Sequence, residues 1–283
     1  MRGVSTQTVD TDNAAHAEIS LSLDTKDLAQ LYDTHSDYQY DGGKTLVAKM
    51  GISPNWSVLD IGSGTGQLGS HVARLVGPAG HVFGIEPLEE RVALSQSRAG
   101  ANLSFAVGDA QDLSRFPSGS FDAVYMNSVI HWVPDQRKAL AEAHRVLRQG
   151  GVIGIATGSG EHPQPHGVIK KRVLSGERYR GFVGPTQSRA NPTRGGLEEL
   201  LGGAGFREVD VELLEGAVET DDAKGMVDFV QAYSFGNFLG HLPEDLQRAA
   251  RDDLEREFGE FRTEGGKIRM QGMTRLFAVA VRA

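Results

Sequence analysis

The stretch VLDIGSGTGQLG, Val58 to Gly69, contains the residues whose types and spacing most clearly suggest chemistry. From Gly64 it follows the pattern G-x-G-x-x-G, a weak indication of a dinucleotide site, and from Asp60 it follows D-x-G-x-G-x-G. Glycine lets a backbone approach a ligand closely, and a helix that begins after such a turn presents free N–H groups there. The stretch therefore predicts a nucleotide-binding turn and leaves the kind of nucleotide open.

Three acidic residues indicate which charge the ligand carries. Asp60, Glu86 and Asp109 each stand at or just after the end of an apolar run that is typical of a strand. In a doubly wound sheet the ligand lies beyond the carboxyl ends of the strands, so these carboxylates would share one crevice. An acid before the glycine turn would repel a pyrophosphate, whereas it would attract the sulfonium and ammonium of S-adenosylmethionine. Glu86 suits the ribose of either ligand, and Asp60 and Asp109 favour the sulfonium compound over NAD.

Runs rich in Val, Ile and Phe alternate with amphipathic helical stretches through the middle of the chain. This alternation predicts an α/β fold, a doubly wound and mostly parallel sheet covered by helices on both faces. Gly42 and Gly43 predict a break between two N-terminal helices, and GSGEHPQPHG predicts a solvent-facing loop. The predicted organisation is a flexible arm (1–24), cap helices (25–50), a nucleotide-binding core (51–158), a substrate lid with one core helix and strand (159–266), and a C-terminal core strand (267–283).

Composition narrows the class of protein. The net charge is −8, from 29 Lys and Arg against 37 Asp and Glu, so a nucleic-acid partner is not expected. No apolar run reaches the roughly 18 residues that a membrane span needs, and the acidic N-terminal segment is unlike a secretory signal. The chain has no cysteine, which excludes disulfides and thiolate metal sites and is compatible with a cytoplasmic protein. His162 and His166 form no metal site with other ligands, so no metal is expected.

Residues 56 to about 157 resemble a class I S-adenosylmethionine-dependent methyltransferase of the small-molecule kind. The resemblance rests on VLDIGSGTG, GIEP, GDAQDL, FDAVYMNSVIHWVPD and RVLRQGGVIGIA, which follow the family's order along about a third of the chain. It implies a Rossmann-like sheet of seven strands that ends in an antiparallel C-terminal hairpin, with helical caps. It also implies S-adenosylmethionine as cofactor and S-adenosylhomocysteine as product.

The resemblance implies contacts to each part of the cofactor. The glycine loop and Asp60 would bind the methionyl part, Glu86 the ribose, and Asp109 the adenine, while Tyr40 in the cap could close on the methionyl carboxylate. The full set of predicted cofactor-binding residues is Asp60, Gly62, Ser63, Gly64, Gly66, Glu86, Pro87, Asp109, Ala110, Asn127 and Tyr40.

The substrate side is predicted from two further stretches. His131, in IHWVPD, lies where the acceptor would meet the methyl group, and it is either a general base or, with Trp132, a wall of the pocket. The aromatic residues of FVQAYSFGNFL predict either core packing or an apolar lid over the substrate. The candidate substrate residues are Trp132, Phe229, Tyr233 and Phe238.

These features predict methyl transfer to O, N or C of a small, largely apolar metabolite, as in natural-product biosynthesis. Two alternatives stay open: an S-adenosylmethionine-binding enzyme that catalyses a cyclisation, and a methyltransferase that acts on macromolecules. The sequence leaves the oligomeric state undetermined, with a homo-oligomer possible.

Overall fold

The structure of the protein, a computed structural model, describes residues 25–182, 190–233 and 238–283. The predicted flexible arm, 1–24, lies outside these ranges. Within them the strands are β1 (Ser57–Ile61), β2 (His81–Glu86), β3 (Leu103–Val107), β4 (Phe121–Asn127), β5 (Leu147–Gly158), β6 (Phe206–Thr220) and β7 (Ile268–Arg282). The helices are α1 (Lys26–His35), α2 (Asp37–Met50), α3 (Gln67–Val76), α4 (Glu89–Ser95), α5 (Gln136–Val146), α6 (Pro165–Leu174), α7 (Arg194–Gly203), α8 (Ala223–Tyr233) and α9 (Glu244–Gly259).

The described strands form one sheet in the order β3-β2-β1-β4-β5-β7-β6. Strands β1 to β5 pair in parallel, and β7 lies antiparallel between β5 and β6. The predicted α/β sheet, with its antiparallel C-terminal pair, is confirmed. The chain moves outward from β1 to β3 and then returns to the other side of β1, so the strand order reverses between β1 and β4. Ligands bind at such a reversal, beyond the carboxyl ends of the strands.

Two hydrophobic layers cover the sheet. On one face Leu140 of α5 and Leu197 of α7 are fully buried in the larger cluster, and on the other face Leu46 of α2 and Val72 of α3 are fully buried. A third cluster joins α6, α8 and α9 to the extended ends of β6 and β7. The third cluster therefore anchors the helices α6, α8 and α9 on the ends of β6 and β7.

The predicted helix break at Gly42 and Gly43 is wrong, because α2 continues through both residues. A Cβ on Gly42 would lie 1.9 Å from a guanidinium nitrogen of Arg275, and one on Gly43 would lie 2.6 Å from Leu68. The two glycines therefore let the cap helix approach the sheet and α3 closely, and they do not end the helix.

The predicted solvent-facing loop is also wrong at its end, because α6 begins at Pro165. Proline is favoured in the first turn of a helix, where its missing N–H has no partner to lose. His166 is buried with its ring edge-on to Phe229 and Tyr233, while His162 is exposed. The described ranges contain no group of three or more His, Asp or Glu side chains that could hold a metal ion. None of the described helices is long and apolar enough to cross a bilayer.

Candidate active site

The turn between β1 and α3 has a backbone that needs glycine. Gly62, Gly64 and Gly66 have φ values of 72°, 55° and 86°, a region that side chains with a Cβ rarely adopt. A Cβ on Gly62 would lie 2.2 Å from Val129, and a Cβ on Gly66 would lie 2.6 Å from Phe105. The turn is thus fixed by conformation and by close packing, and it brings backbone to the ends of β1 and β4.

Two of the three predicted acids border one cavity beside this turn. Glu86, at the end of β2, is buried and accepts hydrogen bonds from the N–H groups of Gly64 (3.0 Å) and Leu88 (3.3 Å). Asp109 follows β3 and accepts from the N–H of Gln111 at 2.9 Å. Both residues line a cavity of about 720 Å³, which is in the range of small-molecule sites.

The third acid, Asp60, lines a smaller polar cavity of about 30 Å³ next to the first. Three buried oxygen atoms around it, Asp60 Oδ2, Ser63 Oγ and Gln39 Oε1, have no hydrogen-bond partner within the described part of the chain. Unpaired buried acceptors are costly, and a space of this size holds one water-sized group. An ammonium presents three N–H donors, so these atoms fit the methionyl amino group of S-adenosylmethionine.

Burial raises the pKa of Asp60 to about 7; the Tyr125 hydroxyl opposes this shift and the Glu86 carboxylate adds to it. Asp60 is only 2% exposed, so its ionised form gains little from water. A cation in the small cavity would favour the carboxylate form, and the site is therefore suited to a positively charged ligand.

The lining of the main cavity divides into two groups of residues, which we name its two ends. One end is formed by the loop after β3 together with Pro87, where the resemblance implies the adenine. The other is formed by the segment after β4 and by the end of α8, and its walls are Ser128, Val129, His131, Trp132, Val133, Pro134, Ala232 and Tyr233. The second end is mostly apolar, so it can hold the non-polar part of an acceptor.

His131 lies on a short 3₁₀ turn, Ile130–Trp132, directly after β4. It is buried, and its Nδ1 lies 2.8 Å from the Thr157 hydroxyl at the end of β5. This hydrogen bond fixes the ring, so Nε2 is the nitrogen that could exchange a proton with an acceptor.

We expect His131→Ala to lower turnover about tenfold while the affinity for S-adenosylhomocysteine changes less than about twofold, because positioning supplies most of the rate. Thr157→Val, which removes the hydroxyl, should give a smaller loss, and Thr157→Ser should retain the wild-type rate. Steady-state kinetics and calorimetry measure the two quantities. Equal losses of turnover and cofactor affinity would show that His131 packs the site and transfers no proton.

The predicted aromatic lid lies only partly on the cavity. Tyr233 and Trp132 line its acceptor end. Phe229 is buried in the cluster beneath the lid, and Phe238 packs at the margins of the lid clusters with Lys170 against its ring. Core packing, one of the two interpretations from the sequence, therefore describes Phe229 and Phe238.

The other predicted residues divide between the two cavities. The main cavity is lined by Gly62, Gly64, Glu86, Pro87, Asp109, Ala110, Asn127, His131, Trp132 and Tyr233. The small cavity is lined by Asp60, Ser63 and Tyr40, and also by Gly62 and Asn127. Gly66 lines neither cavity and begins α3 as its N-cap residue.

Sequence reasoning missed several polar residues at the site. Gln39 reaches it from the cap helix α2, and its polar neighbours in the sequence give no signal of this role. Thr157 ends β5, and its place at the carboxyl end of a predicted strand could have identified it. Arg275 comes from β7, far along the chain, and only the fold brings it beside Asn127.

The cap helix α1 packs over the glycine turn and is held there by polar contacts. The Tyr32 ring packs against Gly64, with the guanidinium of Arg91 4.4 Å from the ring centre. Asp33 forms an ion pair with Arg98 at 3.0 Å and accepts a hydrogen bond from the Gln67 side chain at 3.1 Å. These contacts cover the glycine turn with residues from outside the sheet.

Comparison with known proteins identifies the family. Residues 59–155 match the family model described as a methyltransferase domain. The trans-aconitate 2-methyltransferase of Deinococcus radiodurans is 29% identical over 215 residues, which cover 75% of this chain and 81% of that protein. The demethylmenaquinone methyltransferase of Staphylococcus aureus is 30% identical over 209 residues, which cover 64% of this chain and 84% of that protein. Arsenite methyltransferases also match, and the chain spans about half of their length.

A solved structure supports the fold. The [4+2]-cyclase SpnF aligns with a TM-score of 0.55 and 19% sequence identity over 85% of this chain and 79% of that one. At this identity the likeness concerns the fold alone.

The chain belongs to the class I S-adenosylmethionine-dependent methyltransferases. It is an enzyme of that class, and S-adenosylmethionine is its cofactor.

Proposed function

We propose that the protein transfers a methyl group to a small, largely apolar metabolite, in a biosynthetic step in the cytoplasm. The observation that carries this proposal is the continuous wall of the 720 Å³ cavity, which joins acidic cofactor-side residues to an apolar acceptor end. A cavity of this kind admits a small molecule, whereas a macromolecule would need an extended surface. The net charge of −8 disfavours a nucleic-acid substrate.

In this proposal the two cavities hold the cofactor. Asp60, Ser63 and Gln39 bind the methionyl ammonium, and the N-terminus of α3 faces the methionyl carboxylate. Glu86 accepts from the ribose hydroxyls, and Asp109 and Ala110 lie at the adenine. When bound, S-adenosylmethionine supplies a methyl group on a positively charged sulfur, and transfer leaves S-adenosylhomocysteine.

The acceptor then lies between Trp132 and Tyr233, with His131 on the same wall. Two relatives are named for small organic acceptors, trans-aconitate and demethylmenaquinone, which supports an acceptor of that size. The arsenite methyltransferases are a poorer guide, because this chain spans only about half of their length.

The test is transfer of labelled methyl from S-adenosylmethionine into a small-molecule extract, with S-adenosylhomocysteine measured in parallel. We expect label in a product of low molecular mass and an equal amount of S-adenosylhomocysteine. A matched reaction should contain the Trp132→Ala variant. We expect this variant to transfer label to different acceptors, or at different rates, while its affinity for S-adenosylhomocysteine stays that of the wild type.

Two results would overturn the proposal. Label that enters only protein or nucleic acid would indicate a macromolecular substrate. A converted small molecule without S-adenosylhomocysteine would indicate a reaction such as cyclisation, in which the cofactor is bound and not consumed.

A further inference from the structure

Arg275 of β7 is a buried cation next to the acceptor end of the main cavity. Its side chain is 4% exposed and lies between the rings of Tyr38 and Phe277. The guanidinium donates hydrogen bonds to Asn127 Oδ1 at 2.8 Å and to Ser128 Oγ at 2.9 Å. Both acceptor residues line the main cavity, so the charge stands directly behind its wall.

The described residues supply Arg275 with no carboxylate partner. The tyrosines 32, 38 and 233 act on its charge, and the described carboxylates form no ion pair with it. Arg275 also lines a second, acidic groove, whose carboxylates include Asp41 and Asp228. These two carboxylates pair with Lys44 and Lys224 instead. A buried cation without a counter-ion is unfavourable, so an anionic or electron-rich group from a ligand would be stabilised here.

Ser128 connects the positive charge of Arg275 to the cavity through a hydrogen bond. Its φ of 63° is rare for a residue with a Cβ, and its N–H donates to Ala156 O at 2.7 Å. Because Arg275 occupies a lone pair of the hydroxyl oxygen, the hydroxyl hydrogen must point elsewhere. Within the described chain it has no acceptor, and the residue lines the main cavity.

We propose that the Ser128 hydroxyl, held and polarised by Arg275, donates a hydrogen bond to an acidic oxygen of the methyl acceptor, as in a carboxylic acid, a phenol or an enol. This inference rests on the proposed function and names its substrate class. A donor that is itself hydrogen-bonded to a cation is stronger, and an oxygen bound to Ser128 lies only two hydrogen bonds from the guanidinium. Such an oxygen is also the counter-charge that Arg275 lacks.

The experiment measures label transfer from S-adenosylmethionine to a panel of carboxylic acids and phenols, including trans-aconitate and catechol, and to matched amines, including histamine. We expect transfer to at least one acid or phenol and a preference for it over the amines. Transfer to the amines alone, or to none of these compounds, overturns the inference. Transfer to amines alone leaves the proposed small-molecule methyltransferase standing.

With the best acid, variants then separate the hydroxyl from the backbone conformation. Ser128→Ala and Ser128→Gly should both lower kcat/KM for the acceptor about tenfold, because both lack the donor, although only glycine tolerates the φ value without strain. Arg275→Gln should lower kcat/KM similarly, Arg275→Lys should recover part of the loss, and the surface variant Arg172→Gln should match the wild type.

The affinity for S-adenosylhomocysteine shows whether a loss of kcat/KM comes from acceptor binding or from cofactor binding. It should stay within about twofold of the wild type in both Ser128 variants and in Arg275→Lys. Full activity in Ser128→Gly would show that only the conformation matters. An equal loss of affinity for S-adenosylhomocysteine would assign the charge to the methionyl carboxylate. Each of these two results overturns the inference.

Discussion

Asp60→Asn is expected to weaken the binding of S-adenosylmethionine by about 100-fold to about 1,000-fold at about pH 8, because a charge pair at an effective dielectric of 20 contributes about 3 to 4 kcal/mol near contact distance. Asparagine keeps the size of the side chain and removes its charge. The carboxylate oxygen Oδ2 is buried and unpaired among the described residues, so it is available to a cation in the small cavity. Calorimetric titration measures the change.

The raised pKa of Asp60, about 7, also predicts how binding depends on pH. The cation binds the ionised carboxylate, so the affinity should fall as the pH drops below 7, approaching tenfold per pH unit. Without cofactor, the free energy of unfolding changes with pH in the direction opposite to the cofactor affinity. The folded pKa lies above the ordinary value, so the free energy of unfolding decreases as the pH rises from about 4 to 7.

Two comparisons test whether the change in cofactor affinity comes from the Asp60 carboxylate. Asp252→Asn, on the exposed face of α9, should bind the cofactor like the wild type. Asp60→Asn should lose the part of the pH dependence that comes from this carboxyl, which leaves the titration of the ligand's own amino group. A wild-type affinity that is flat between about pH 5 and 7 would contradict the role given to Asp60.

Gly62→Ala is expected to lower the free energy of unfolding by about 2 to 5 kcal/mol, because it adds left-handed backbone strain and overpacking at one position. The φ of Gly62 is 72°, and the new methyl would lie 2.2 Å from Val129. Urea unfolding monitored by circular dichroism measures the change. Cofactor affinity should fall as well, since the same backbone borders both cavities.

Gly51→Ala is the matched control. Its φ of 63° and ψ of 35° are left-handed, and a Cβ there meets no atom within 4 Å. It should therefore cost only the backbone strain, about 1 to 2 kcal/mol. Adding Val129→Ala to Gly62→Ala should recover part of the stability. Equal costs at both glycines would show that packing against Val129 is unimportant.

The central part of the fold could be predicted because its signals are local. Asp60, the glycines and Glu86 lie within one strand–helix–strand unit, so their spacing alone places them at one edge of the sheet. The antiparallel place of β7 came from the family resemblance. Propensity alone failed at Gly42 and Gly43, where tertiary packing against Arg275 and Leu68 overrides the tendency of glycine to end a helix.

The remaining site residues could not be predicted because their partners are distant in the chain. Gln39 and Asp60 meet only when the cap helix packs on the sheet, and Arg275 reaches Asn127 across 148 positions. Such contacts depend on topology and leave no spacing pattern. His166 shows the same difficulty, since its helix and its burial depend on packing against Phe229 in a later segment.

The place of β7 has a consequence for how the protein is made. It follows the other six described strands along the chain, yet it occupies an interior position between β5 and β6. While a ribosome is still extending the chain, both neighbouring strands therefore have unpaired edges that can join other polypeptides. Early release of the nascent chain would favour aggregation, and chaperone demand should be greatest just before that strand emerges.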